Sequence, residues 1–136
     1  MRKLIALAAI VATATSCLNT DTNTGPLVGD LAGTYALQTM NGTALPFSIV
    51  SHDTTVLIDT DVLTLGSNGD WTETVTYRQT AGANQTTNES FSLAGIWVRS
   101  GNSVNFRTQQ GSIYVGSATE TTLLLNDGYY DYVFKR

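Results

Sequence analysis

The sequence predicts an all-β domain, an antiparallel up-and-down barrel of about eight strands. Three observations carry this reading. Short segments that alternate apolar and polar side chains recur with turn residues every ~8–12 positions, the spacing of antiparallel strands. The turns include Asn41-Gly42 and Asp127-Gly128, dipeptides that tolerate positive φ and so close tight hairpins. No stretch of 18–136 keeps apolar residues at i, i+3, i+4 and i+7 beyond one turn, so no helix is predicted there.

In chain order, the first element is not part of the domain. Met1-Arg2-Lys3 is a positive n-region, and Leu4 to Ala14 is an uncharged apolar run, too short to span a bilayer but of signal-peptide length. "ATSC" (14–17) follows, and Cys17 is the single cysteine of the chain. This end resembles a bacterial lipoprotein signal, in which residues 1–16 are removed and Cys17 becomes the lipidated first residue. An ordinary secretory signal is the alternative, since Ala14-Thr15-Ser16 also fits a small-x-small cleavage site. Lipidation explains why a lone cysteine is exported to an oxidising compartment, and no disulfide can form within one copy of the chain.

Residues 17–28 carry Thr, Asn, Asp and a Gly-Pro without periodicity, which predicts a flexible tether. The domain then runs over 29–136. Its strand candidates are 33–40, 45–51, 54–65, 71–79, 87–98, 103–108, 112–118, 121–125 and 129–135. Alternation also assigns faces. In "DWTETVTYRQ", Trp71, Glu73, Val75 and Tyr77 share one side, and Thr72, Thr74, Thr76 and Arg78 the wet one. In the last strand Tyr130, Tyr132 and Phe134 oppose Tyr129, Asp131, Val133 and Lys135. So many short strands must close on themselves or pair as two sheets, because open edges invite aggregation.

Composition bounds the partners. Removing the leader leaves 5 of the 7 basic residues against 11 acidic ones, so no basic stripe remains to track phosphates and nucleic acid is not an expected partner. Only 13% of residues are charged, against ~25% in typical domains, so Thr, Ser, Asn and Gln must solubilise the surface.

"GTYALQTMNGTALP" (33–46), "LTLGSNGDWTETVTYR" (63–78), "GIWVRSGNSVNF" (95–106) and the terminal "YYDYVFKR" together resemble a group of small bacterial lipocalin-like lipoproteins of uncharacterised function. The resemblance covers nearly all of 29–136. It implies a lipocalin-like barrel, exported and lipid-anchored to a bacterial membrane, outer membrane or cell surface. In lipocalins a Gly-x-Trp opens the barrel and a late Arg packs across that ring; here Tyr35 stands at the Trp position, and Lys135 or Arg136 at the basic one.

Candidate sites are few. Ser51-His52-Asp53 has the residue types of a nucleophilic triad, but neighbouring strand residues face opposite ways, so the expectation is a loop or edge role. Asp59 and Asp61 fall on one side of an extended segment and suggest a hard-cation site, yet the spacing of a calcium loop is missing. Ordinary exposed strand-end carboxylates are expected instead, with no metal and no cofactor. Glu73 among aromatics is solvated near an open barrel end, the simpler account, or, if that face is interior, is paired with a basic group such as Arg99 or Arg107 or serves as a polar anchor for a ligand. Tyr35, Trp71, Tyr77, Trp97 and Tyr132, with Glu73, line either a ligand pocket or a packed core. Tyr35 and Trp97 each follow a glycine by two positions, which predicts that each ring covers the gap its glycine leaves. No nucleophile–base pair can be assembled, so no enzyme is expected. Two classes remain: a membrane-anchored module binding a small apolar ligand, and a solid-barrel structural or interaction module.

Overall fold

The computed structural model describes residues 28–82 and 85–136. The expected signal peptide, Cys17 and the expected tether up to residue 27 lie outside the described residues. A 3-10 turn, Val28–Leu31, precedes ten strands: β1 (Gly33–Met40), β2 (Thr43–Ala44), β3 (Phe47–Ser51), β4 (Thr54–Leu65), β5 (Asp70–Ala81), β6 (Gln85–Ser100), β7 (Ser103–Thr108), β8 (Gly111–Ala118), β9 (Thr122–Asn126) and β10 (Asp131–Lys135). Strands β4 to β10 pair in sequence order, and β1 closes the ring between β10 and β4. The result is the expected antiparallel barrel of eight strands, with β2 and β3 as an excursion outside the ring.

The local chemistry explains the corners. Asn41 and Gly42 both take positive φ, 50° and 76°, so Met40 pairs directly with Thr43 across a two-residue turn. Asp127 closes the β9–β10 turn with one carboxylate: Oδ1 accepts the amides of Tyr129 and Tyr130, both at 2.8 Å. Inward positions alternate as pattern predicts, with Trp71, Glu73 and Val75 buried between exposed Thr72 and Thr74.

One end of the barrel is sealed. Leu31 lies under it, fully buried, and accepts the Tyr35 hydroxyl on its carbonyl at 2.9 Å. The Arg136 guanidinium sits 5.4 Å from the Tyr35 ring centre and donates to the carbonyls of Ala32 (2.8 Å) and Asp30 (3.0 Å). Arg136, rather than Lys135, therefore occupies the late basic position over Tyr35. Above this plug Trp71, Phe106 and Trp97 fill the cross-section, with Trp97 stacked on Phe106 at 6.4 Å and Trp71 edge-on to it at 5.8 Å. The lower barrel is a packed core, not a cavity. Burial of such aromatics supplies the main stabilisation, about 25 cal/mol per Å² of apolar surface.

The glycine expectation needs one correction. A Cβ on Gly95 would run into the Arg107 carbonyl oxygen and approach Trp71 Nε1, so β6 and β7 do meet closely there. The ring that covers the gap is Trp71, not Trp97. Its indole N–H donates to the carbonyls of Ile96 (3.0 Å) and Arg107 (3.2 Å), spanning the two strands. Trp97 instead points to the sealed end and donates to Gly66 O at 3.3 Å.

The other end is lopsided. β6 pairs with β5 over Gln85–Ile96 but with β7 only from Ile96 onward. β4 likewise pairs with β1 over Val62–Leu65 and with β3 over Thr54–Ile58. Strands β3 to β6 thus rise past the short β7–β10 side as a four-stranded wall. The six residues of β5 beyond Val75 extend it by about 20 Å at ~3.3 Å per residue.

Candidate functional site

The site is the open mouth, and its floor is acidic. Asp61 on β4 and Glu73 on β5 both point inward, at 4% and 1% exposure. Their neighbours explain how two carboxyls come to share the interior. Leu63 pairs with Glu73 and Asp61 with Val75, so the two acids are diagonal partners on one face. The Tyr114 hydroxyl on β8 donates to Glu73 at 2.8 Å and 3.1 Å, one proton divided between both oxygens. Tyr132 on β10 packs edge-on to Tyr114 at 5.4 Å and donates its own hydroxyl to Asp127 Oδ2 at 2.8 Å. Asp61 Oδ1 is buried and has no hydrogen-bond partner among the described residues.

Electrostatics follow from burial. Removal from water, then the Glu73 charge beside it, pushes the Asp61 carboxyl up to about 8. Burial raises Glu73 too, against the opposing hydrogen bond from Tyr114. Both tyrosines are raised, first by burial; Glu73 adds to the shift of Tyr114 and Asp127 to that of Tyr132. Around neutral pH the acid pair therefore holds a proton, as close carboxyls must in a poorly solvated site.

Above this floor the wall is apolar. Phe47 and Ile49 of β3 pair with Ile58 and Val56 of β4, Ile58 pairs with Tyr77, and Val75 with Phe91. Phe47, Ile49 and Leu93 pack onto the barrel core, Phe47 meets Tyr130 edge-on at 5.9 Å, and Tyr77 lies 6.0 Å from Phe91. Phe91 remains 45% exposed, because among the described residues no strand faces the wall at that height. Where β7 parts from β6, a groove of about 670 Å³ opens along Ser92–Ile96 and Arg107–Gln110. That volume falls within the usual range for small-molecule sites, ~300–1,000 Å³.

The sequence-predicted residues divide between floor, wall and plug. Tyr35, Trp71 and Trp97 are buried structural residues at or near the sealed end. Glu73 and Tyr132 belong to the floor and Tyr77 to the wall. The solvated-end account of Glu73 is overturned, since it is 1% exposed and its donor is Tyr114. Neither arginine serves it: Arg107 Nε bonds Asn105 at 2.8 Å, and Arg99 turns to the Gly101 carbonyl. The Asp59/Asp61 expectation also fails. A register shift between Ile58 and Thr60 puts Asp59 outside, where Arg78 clamps it at 2.8 Å and 2.6 Å, while Asp61 keeps the inward alternation of Leu63 and Leu65. His52 sits in the β3–β4 turn with φ of 51°, exposed, its Nδ1 3.5 Å from Ser51 Oγ. Among the described residues no three His, Cys, Asp or Glu side chains form a metal-binding group.

Sequence reasoning missed Asp61 as a buried group, together with Asp127, Phe91 and Leu93, and did not foresee Tyr114 as the donor to Glu73. A signal for Asp61 existed: counting back by twos from Leu65 and Leu63 lands on it. Comparison of the chain with family models, curated proteins and solved structures finds no match.

Proposed function

We propose that the protein is a non-catalytic, lipocalin-like envelope lipoprotein, exported and anchored through Cys17, that binds a small apolar ligand at the barrel mouth. The observation that carries the reading is the unopposed inner wall of β3–β6, where Phe91 and Tyr77 leave aromatic surface open above a core already filled. An exposed apolar patch of this kind, rimmed by polar strands, is what ligand and partner surfaces present. The packed lower barrel supports the solid-barrel alternative for that half alone.

The test is titration of the full chain with N-phenyl-1-naphthylamine, a neutral dye that brightens in apolar surroundings. Saturable enhancement is expected, weakened about tenfold by Phe91→Ser at an unchanged melting temperature. Absence of enhancement, or equal binding by the variant, overturns the mouth as a ligand site.

A further inference from the structure

Resting on the mouth as a ligand site, we infer that the ligand carries a cationic amine, and that Asp61, backed by Glu73, is the seat of its ammonium group. Asp61 is the member of the acid pair nearer the mouth, paired with Val75 where Glu73 pairs with Leu63 one inward step below. The next inward positions above it, across the register shift, are Ile58 and its partner Tyr77, so one layer of side chains separates the carboxyl from the open mouth. Its Oδ1 is buried and lacks a donor among the described residues, the condition a bound N–H group relieves. An ammonium supplies three donors from a single compact charge.

The surroundings select a cation over a neutral donor. Glu73 lies beside Asp61, and Asp127 stands at the rim, where Tyr129, Tyr130 and Tyr132 occupy its oxygens. Asp127, and the one charge that the Asp61–Glu73 pair keeps while it holds a single proton, give the floor negative potential, and an ammonium group takes the place of that proton. The rings of Tyr114 and Tyr132 complete it, and aromatic faces attract cations. The described Lys and Arg side chains are placed elsewhere: Arg78 is clamped to Asp59 outside, Arg107 bonds Asn105, Arg99 turns to Gly101, Lys135 is exposed at the end of β10, and Arg136 caps the sealed end. Phe47, Ile49, Tyr77, Phe91 and Leu93 then cover the apolar body of the same molecule. A single-chain amphiphilic amine matches both halves.

The experiment compares octylamine, octanol and octanoate as competitors for N-phenyl-1-naphthylamine on the full chain at neutral pH. Octylamine is expected to bind at least tenfold more tightly than octanol, and octanoate more weakly than either. Asp61→Asn should erase the amine preference while octanol binds as before. Equal affinity for octylamine and octanol, or a preference that survives Asp61→Asn, overturns the ammonium seat and leaves the mouth intact as an apolar site. If neither compound competes and the dye itself does not bind, the mouth reading falls with it.

Discussion

Raising the pH should loosen this barrel from within, and Asp61 sets the size of the effect. In the unfolded chain its carboxyl titrates near the ordinary value, 3.8; in the fold it is pushed up to about 8. Below pH 4 both states hold the proton and the group costs nothing. Between pH 4 and 8 the unfolded state loses its proton while the folded state keeps it, so folding must take one up and stability falls as pH rises. Each pH unit is worth about 1.4 kcal/mol. Over a window of about four units the loss is on the order of 5 kcal/mol, a large part of the ~5–15 kcal/mol by which a domain is stable. Glu73, also raised by burial, adds in the same direction. The Asp59–Arg78 pair has the opposite sign: its lowered carboxyl stabilises the fold above the unfolded value, and that contribution is lost only in acid. The two effects therefore occupy different pH windows.

Urea unfolding followed by the fluorescence of Trp71 and Trp97, at intervals from pH 4.5 to pH 9, measures the slope. The wild type should lose stability steadily to about pH 8 and level off beyond it. Asp61→Asn places an amide where the proton was held and can donate to Glu73, so its curve should be much flatter and cross above the wild type by pH 8. A wild-type stability that rises from pH 4.5 to 8, or parallel curves for the two proteins, would refute the reasoning.

Trp97→Ala removes a ring stacked on Phe106 at the sealed end and should cost ~3–5 kcal/mol, read as a large fall in melting temperature or failure to fold. Gly95→Ala should destabilise by at least about 3 kcal/mol, because the added Cβ meets backbone at Arg107 and only separation of β6 from β7 makes room; near-wild-type stability would contradict that contact. Arg136→Ala removes charged hydrogen bonds to Ala32 and Asp30 and uncovers Tyr35, for an expected loss of ~1–2 kcal/mol with the barrel intact by circular dichroism. Lipidation at Cys17 should carry the full protein into the detergent phase on phase separation, and Cys17→Ala should leave it aqueous, since two or more acyl chains make anchoring stable.

The sequence made the fold legible because strand alternation and turn chemistry act locally. Asn41-Gly42 and Asp127-Gly128 sit in the turns their φ preferences demand, and the inward set Trp71, Glu73, Val75 follows from parity alone. The site was less legible for the same reason. Whether Asp59 shares the face of Asp61 depends on one extra residue at the register shift, and Asp59 and Arg78 hold that bulge from the outside. Which donor meets Glu73 depends on the stagger that brings β8 across the barrel from β5, a distance along the chain that no local pattern encodes. The height of the wall was hidden too. β6 is longer than its partner β7, and a comparison of neighbours requires the ring order first.

The closing pair has a consequence for biogenesis. Leu37 lies against Phe134, so the ring is shut by one of its first segments and one of its last. Until β10 emerges, β1 lacks one neighbour and the growing sheet keeps two live edges. Contacts so distant along the chain also form slowly. A polypeptide threaded outward from its N-terminus would thus stay pliant throughout transit and lock only after β10 has passed. Delayed closure would keep the chain passable by a narrow translocation channel, with the final lock set on the far side.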